Sequence, residues 1–515
     1  MPRGHVSSSS SPSERAHAQT PGGADPAVSA PEGSGREELP AGAVLTIVVL
    51  LCAAFVVILN ETILNVALPH LIASLGVDAT VVQWVTTGFM LTMAVVIPTT
   101  GFIIGRLGTR GAFALAMCAF TLGTLLAAVA PGFGLLLTGR IVQGFGSAIM
   151  LPLLMTTVLT LVPVSRRGAV MGNVTIVIAV APALGPTVSG LLLAHFHWCF
   201  LFIFVLPFAI AATILGIARL RNSADRGDER LDPLSLALSA PGFAGLVYGL
   251  SSLGEAGGAG GRGWSIAALV AGAALVGLFA VRQVRLQRTS APLLDLRTFR
   301  YRDFRVSVGL LSVSMLAMFG VVIVLPMYMQ SVRGLDSITT GLVLLPGGLA
   351  MGLAGPLVGR IFDRFGARPL TVTGAVVMAA VLVALTFLGA QTPVWLLVVL
   401  VLGFNLALAC IFTPVFTASL NPLPMHLYSH GSAILSTLQQ VAAAAGTALL
   451  VAVMQFAASA ASGTAQPQGE QLLPGVRAAF LVAAVLSAVA IVLALLMPGR
   501  RQTTTGPVPE RPGHS

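Results

Sequence analysis

The sequence predicts an all-α integral membrane protein, with two pseudo-symmetric six-helix bundles and a two-helix insert that make fourteen transmembrane helices. Three observations predict this fold. The composition suits a lipid environment, long apolar segments follow one another along most of the chain, and one short motif occurs twice about half a chain apart.

The composition separates this chain from soluble proteins. Its 515 residues are 56% hydrophobic and 9% charged, whereas about a quarter of the residues in a soluble domain are charged. All 28 basic residues are arginine. Without lysine the chain has neither a P-loop ATPase site nor a Schiff-base site. We therefore expect an ion gradient as the energy source, with no cofactor, and the two-halved membrane architecture points to a transporter rather than an enzyme.

The net charge of +10 could indicate a nucleic-acid partner, but the arginines lie in short loops between apolar segments, as membrane topology requires. The expected partner is therefore the lipid bilayer and not nucleic acid. The cysteines Cys52, Cys118, Cys199 and Cys410 lie inside apolar segments without metal-ligand spacing. No metal site is predicted.

About 20 apolar residues are needed to cross the hydrocarbon core. Fourteen segments meet this requirement, near residues 44–70, 81–104, 112–131, 135–161, 169–194, 198–219, 233–253, 264–283, 306–329, 340–362, 369–389, 394–418, 430–458 and 476–497. Arginines cluster in alternate loops, which predicts that these loops and both termini are cytoplasmic in a multi-pass protein of the cell membrane.

These segments divide the chain into five predicted regions. The polar, Ser- and Pro-rich start predicts a disordered cytoplasmic tail, and a second tail ends the chain. The regions are a tail at 1–41, a six-helix bundle at 42–219, a linker with two extra transmembrane helices at 220–290, a second six-helix bundle at 291–499 and a tail at 500–515.

The repeated motif reads G-x-x-x-[G/D]-R-x-G-x-R at residues 101–110 and again at 359–368. Each copy is predicted to be a tight cytoplasmic turn that helps to gate the cytoplasmic face. Two related halves that move about a central site are typical of secondary transporters. The predicted gating residues are Gly101, Arg106, Gly108, Arg110, Asp363, Arg364, Gly366 and Arg368.

Three further motifs lie on the expected spans: L-N-E-T-I-L-N-V-A-L-P at 59–69, R-I-V-Q-G-F-G at 140–146 and A-P-A-L-G-P-T-V-S-G at 181–190. With the paired turns they make the chain resemble the major facilitator superfamily, and within it the fourteen-span drug:proton antiporters of the EmrB/QacA type, from Ala41 to Arg500. The chain departs from the family pattern twice. Asn60 replaces the usual aspartate, with Glu61 next to it, and Gly105 replaces an aspartate that the second turn keeps as Asp363.

Glu61 is the one carboxylate that lies well inside a predicted span. Such a group should face the bundle interior, where it can take up and release protons. The alternative is a permanently paired glutamate that ties helices together. Arg140 lies at similar depth in span 4, and by resemblance it is the proton-relay arginine. Its alternative is a structural arginine bound to backbone carbonyls. We expect the two side chains to share one water-accessible hollow.

Polar residues at helical spacing predict a lined substrate cavity. Arg140, Gln143 and Ser147 follow one face of span 4, and a similar stripe in span 13 includes Ser432. Hydrogen bonding between helices is an equally good interpretation of the span-13 stripe. The predicted cavity residues are Asn60, Asn65, Gln143, Ser147, Ser436, Gln439 and Gln440.

By resemblance, span 5 carries an antiporter motif. Its small residues and prolines should allow a kinked, closely packed helix that seals one side of the cavity. The residues are Pro182, Gly185, Pro186 and Gly190.

The resemblance implies a proton-coupled exporter of small amphipathic compounds such as drugs or antibiotics, working by alternating access as a monomer. With one membrane carboxylate, we expect neutral or singly charged substrates rather than dications. The alternatives are a symporter or importer, or an exporter of one metabolite or lipid, on the same fold. A third alternative, from another class, is a membrane receptor that transports nothing.

Overall fold

The computed structural model describes residues 41–77, 79–220, 232–254, 259–287, 292–464, 467 and 469–499. The predicted tails, Ala41 excepted, and part of the predicted linker fall outside these ranges. The described residues form helices and no strands, as a chain surrounded by hydrocarbon must if its backbone groups are to be satisfied within each segment.

Fifteen α-helices follow one another along the described part of the chain. Their bounds are α1 Ala41–Leu75, α2 Ala79–Val82, α3 Trp84–Val96, α4 Thr100–Ala128, α5 Phe133–Leu161, α6 Arg167–Leu193, α7 Cys199–Arg219, α8 Pro233–Gly254, α9 Ala259–Leu286, α10 Arg302–Met327, α11 Ser337–Phe365, α12 Ala367–Leu385, α13 Val394–Leu420, α14 Tyr428–Ser462 and α15 Leu473–Leu495.

Thirteen segments of the described chain are long and apolar enough to cross a membrane. One of them, Trp84–Ala128, contains 45 residues and joins α3 to α4. At 1.5 Å per residue this is roughly twice the thickness of the hydrocarbon core. The count is therefore thirteen, or fourteen if this segment is divided at its internal break. The predicted all-α membrane fold is confirmed.

The break falls at Gly108, which has φ 70° and ψ 175° inside α4. Gly366, at the same place in the second motif, has φ 84° and ψ −177° and separates α11 from α12. This backbone region is essentially restricted to glycine. The predicted turns at 101–110 and 359–368 are therefore too long: each direction change occurs at one glycine, and the preceding motif residues are helical because nothing else breaks the helix.

Two seams join the helices of the first half of the chain, 41–220, to those of the second half, 292–499. At one seam α6 packs along α11, so closely that a Cβ on Gly172 would lie 2.3 Å from the backbone oxygen of Gly355. At the other seam α14 packs against α4 and α5. The first seam therefore depends on small residues that let two backbones meet.

The two extra helices lie beside the second seam. α8 packs against α3 and α14, while α9 packs against α8. The ring of Trp84 in α3 stacks on Tyr248 in α8, with centroids 6.1 Å apart. Arg282 of α9 donates two hydrogen bonds to Asp232 at the start of α8, of 2.7 and 2.8 Å. The insert is thus one hairpin, and α8 contacts both halves of the chain.

Candidate functional site

The carboxyl group of Glu61 lies within the first half of the chain, on α1. It lines a cavity of about 20 Å³ together with Met93 of α3 and Ser147 of α5. That volume is about enough for one water molecule. Among the described residues, no hydrogen-bond donor contacts the carboxylate within 3.5 Å and no cation pairs with it within 4.0 Å. We call this space the acidic cavity.

Arg140 is buried, with 1% of its surface exposed. Its guanidinium donates to the side chain of Gln143 at 2.9 Å and to the backbone oxygen of Val85 at 3.4 Å. It also lies 4.1 Å above the ring centroid of Phe89, a cation–π contact. Gln143 in turn donates to Thr124 at 2.8 Å. Arg140 is therefore held by α3 and, through Gln143, by α4.

Glu61 and Arg140 attract each other electrostatically, but Arg140 does not line the acidic cavity. Arg140 and Ser147 lie seven residues apart on α5, or about 10 Å along the helix. Glu61 and Arg140 thus lie near enough to attract each other, and their sharing of one water-accessible hollow stays a prediction.

A much larger cavity of about 360 Å³ lies between the halves. Its wall includes α1 and α6 from the first half and α10, α11, α12 and α13 from the second. Of the described residues that line it, none is charged, and the polar side chains are Thr62, Thr187 and Asn405. We call it the apolar cavity.

The apolar cavity is closer to one end of the helices. Leu325 lies near the end of α10, Gly341 near the start of α11 and Leu385 at the end of α12. The opposite end of these helices carries Arg302 and Arg364. We call that opposite end the arginine-rich end.

Hydrogen bonds join the two halves at the arginine-rich end. The Asp363 carboxylate accepts from the backbone N–H groups of Gly168 and Ala169, at 2.9 Å each. These groups begin α6, so the second motif caps a helix of the first half. Arg167 donates to Asn421 at 2.7 Å. The halves are thus held together here, while a cavity remains between them further along.

Two hydroxyl pairs continue this contact. Thr156 of α5 lies 2.9 Å from Ser432 of α14, and Thr175 of α6 lies 2.7 Å from Thr413 of α13, measured between hydroxyl oxygens. For Ser432, the structure therefore has the hydrogen bond between helices that was the alternative to a cavity role.

The first motif makes a related contact without a carboxylate. A Cβ on Gly101 would lie 3.4 Å from the Cα of His430 near the start of α14. The second motif approaches its partner more closely, since a Cβ on Gly359 would lie 2.1 Å from the backbone oxygen of Gly168. At the position of Asp363 the first motif has Gly105. The turn pair is therefore unequal, because only the second copy can cap its partner helix with a side chain. The side chains of Arg106, Arg110, Arg364 and Arg368 are exposed.

The predicted cavity residues that the structure describes do not line the apolar cavity. Asn60 is buried, and its Nδ2 has no hydrogen-bond partner among the described residues. Gln143 binds Arg140, and Ser147 lines the acidic cavity. In α14, Ser436 is buried, Gln439 is half-buried, and Gln440 donates to the Met93 sulfur at 3.9 Å. The side chain of Asn65 lies outside the described residues. Their role in substrate binding stays a prediction.

The predicted span-5 motif lies on α6, which runs as one helix from Arg167 to Leu193. Pro182 lines the apolar cavity. A Cβ on Gly185 would lie 2.3 Å from the Thr62 hydroxyl oxygen, whereas one on Gly190 would meet nothing within 4 Å. Gly185 therefore allows α1 and α6 to approach each other. The side chain of Pro186 is outside the described residues.

Comparison with known proteins agrees with this arrangement. A family model described as the Major Facilitator Superfamily matches residues 50–447. An MFS-type transporter of Bacillus subtilis, YcnB, is 40% identical over 90% of this chain and 96% of its own length. The lincomycin resistance protein LmrB of the same organism is 36% identical over 87% of this chain and 94% of its own length.

The fold is also that of solved transporters. The human organic anion transporter MFSD10 superimposes with a TM-score of 0.62 at 18% identity, over 88% of this chain and all of that one. The chain therefore belongs to the Major Facilitator Superfamily of membrane transporters, which are not enzymes.

Proposed function

We propose that this transporter exports small amphipathic compounds, drugs or antibiotics among them, in exchange for protons. The observation that carries the proposal is the Glu61 carboxyl group, which lines the acidic cavity without a hydrogen-bond donor or a cation in direct contact among the described residues. A relative of similar length is named for lincomycin resistance, which supports an amphipathic substrate.

The proposed cycle uses the two ends of the molecule in turn. With the arginine-rich end closed, substrate leaves the apolar cavity and a proton reaches Glu61 from the open side. An ionised carboxylate inside hydrocarbon is unfavourable, so protonation lowers the free energy needed to exclude water from the site while the halves rock. The arginine-rich end then opens, the proton leaves, and new substrate enters.

Arg140 acts on Glu61 through the electrostatic attraction between them. When the carboxyl group loses its proton, the buried guanidinium stabilises the resulting charge. The bonds from Arg140 to Gln143 and to the Val85 carbonyl hold that positive charge in place. Protons and a small molecule are thus the proposed partners of a monomer, with no cofactor.

The proposed orientation follows from arginine bias. Arginines in alternate loops favour a cytoplasmic arginine-rich end, which places both termini on the cytoplasmic side of the cell membrane. In this orientation the apolar cavity lies toward the exterior. An exporter in this state would have just released its substrate or be ready to take up a proton.

The proposal is tested in proteoliposomes with an imposed pH gradient and a fluorescent drug. Proton-driven accumulation is expected for the wild type and is expected to be lost in Glu61→Gln, which cannot exchange a proton. Glu470→Gln is the matched control, because Glu470 is exposed outside the helix core. Undiminished, pH-dependent accumulation by Glu61→Gln would refute the proton role, and movement of drug and protons in the same direction would indicate a symporter.

A further inference from the structure

α1 presents two successive residues to two different spaces. Glu61 lines the acidic cavity and Thr62 lines the apolar cavity. Successive residues of an α-helix point about 100° apart, so α1 itself forms part of the wall between the spaces. No described residue lines both cavities.

The polar groups of the apolar cavity are few and mostly committed. The Thr62 hydroxyl donates to carbonyls of its own helix at 3.0 and 3.2 Å, which leaves it as an acceptor. Asn405 donates one N–H to Val401 at 2.9 Å. The Asn405 oxygen and its second N–H have no hydrogen-bond partner among the described residues. A ligand there would find this amide, together with the hydroxyl of Thr187, which is an exposed residue of the wall.

A charged ligand would find no opposite charge in this wall, since no described lining residue is ionisable. Moving an ion from water into such a site without a partner is strongly unfavourable. An uncharged apolar molecule has no such cost and gains from burial. The volume of about 360 Å³ lies within the range of small-molecule sites.

We infer that the apolar cavity takes uncharged and mainly apolar molecules held by Asn405, and that Glu61 makes no direct contact with them. This inference deepens the proposed export function and rests on it only in calling the bound molecule a substrate. Proton and substrate then act on two different faces of α1, and coupling passes through movement of that helix rather than through competition for one carboxylate.

The test is direct binding of tritiated progesterone, an uncharged apolar molecule with carbonyl acceptors, to the purified full-length protein. Tetraphenylphosphonium, apolar but permanently cationic, is the competing ligand. Progesterone should bind at least tenfold more tightly than the cation. A cation that competes equally well would overturn the inference.

Variants locate the site. A Cβ on Gly341 would meet nothing within 4 Å, so the side chain in Gly341→Phe has room to fill the apolar cavity, and binding should weaken at least tenfold. Gly277→Phe is the matched control, because Gly277 is equally open but lies on the exposed side of α9. Unchanged binding in Gly341→Phe, or an equal loss in Gly277→Phe, would place the site elsewhere.

Asn405→Leu tests the anchor without filling the cavity. Loss of one hydrogen bond of about 1 kcal/mol corresponds to about fivefold weaker binding. Glu61→Gln should keep the ratio of progesterone affinity to tetraphenylphosphonium affinity within about twofold of the wild-type ratio, because a shift between conformations changes both affinities alike, and a large change in that ratio would show that Glu61 takes part in binding. Binding that follows these expectations without any proton-driven flux would leave the inference standing and refute the export proposal. Proton-driven flux together with binding that is unchanged in Gly341→Phe and Asn405→Leu would support the export proposal and refute the inference.

Discussion

The contact between Asp363 and α6 should control how often the arginine-rich end opens. Its carboxylate accepts two backbone N–H groups across the seam, each at 2.9 Å. Replacing a helix cap by alanine costs about 0.5–2 kcal/mol. Because two bonds are lost together, the upper part of this range applies, and a loss of about 1–2 kcal/mol changes the ratio of two states about 5- to 30-fold. Because the bonds join two halves, Asp363→Ala should shift the open–closed equilibrium by about that factor.

The assay measures the labelling rate of one buried cysteine by a water-soluble maleimide. Ser432→Cys is placed in a background without Cys52, Cys118, Cys199 and Cys410, because Ser432 is 1% exposed at the seam. When opening and closing are faster than the reaction, the labelling rate is proportional to the open fraction. Asp363→Ala should therefore raise this rate about 5- to 30-fold.

Asp336→Ala provides the matched control. Asp336 also caps a helix, accepting from the N–H of Thr339 at 3.4 Å, but within α11 and at the other end. It should leave the labelling rate of the introduced cysteine unchanged. An equal increase in both variants would mean that general destabilisation exposes the cysteine, and no increase in Asp363→Ala would refute the capping argument.

Three further predictions follow from packing, backbone conformation and charge. Gly172→Leu should prevent closure at the α6–α11 seam, because its Cβ would lie 2.3 Å from the Gly355 oxygen. Gly190→Leu is the control, since a Cβ there would meet nothing within 4 Å. Drug flux should be lost in the first variant and kept in the second. Gly366→Ala should lower the melting temperature through about 1–3 kcal/mol of backbone strain at φ 84°, and an unchanged melting temperature would contradict this. Arg282, through its two hydrogen bonds, holds the pKa of Asp232 below its ordinary value. The ionised carboxylate therefore stabilises the folded protein fully above the unfolded pKa of about 3.9, and this stabilisation is lost as pH falls through the lower folded pKa. The melting temperatures of wild type and Asp232→Asn should therefore become equal only in acid, and equal melting temperatures at neutral pH would contradict this prediction.

The sequence predicted well what depends on local composition. Long apolar runs with few charges predict membrane helices, and the glycines of the repeated motif permit the two breaks at Gly108 and Gly366. The motif also drew attention to Asp363 and Gly105, whose difference now has a structural meaning. What the sequence could not show was which helix Asp363 caps, because that partner lies about 195 residues away in the chain.

The apolar cavity was missed for a different reason. Its wall is assembled from short stretches of six helices, and residues such as Val321, Leu344 and Phe404 have the same composition as any lipid-facing surface. Polar stripes were the available signal, and they led to Gln143 and Ser432, whose side chains bind Thr124 and Thr156 of neighbouring helices instead. Asn405, now the proposed anchor, is only a weak cavity candidate in the sequence, because one amide in an apolar helix usually binds a neighbouring helix.

The central claim is that the two halves rock about the apolar cavity, so that one end closes as the other opens. Distances between spin labels placed on the two halves, one pair at the arginine-rich end and one pair at the opposite end, test it most directly. Glu61→Gln, a mimic of the protonated state, should lengthen one distance while shortening the other relative to wild type at high pH. Two distances that change together, or that do not respond to the substitution or to pH, would contradict the account.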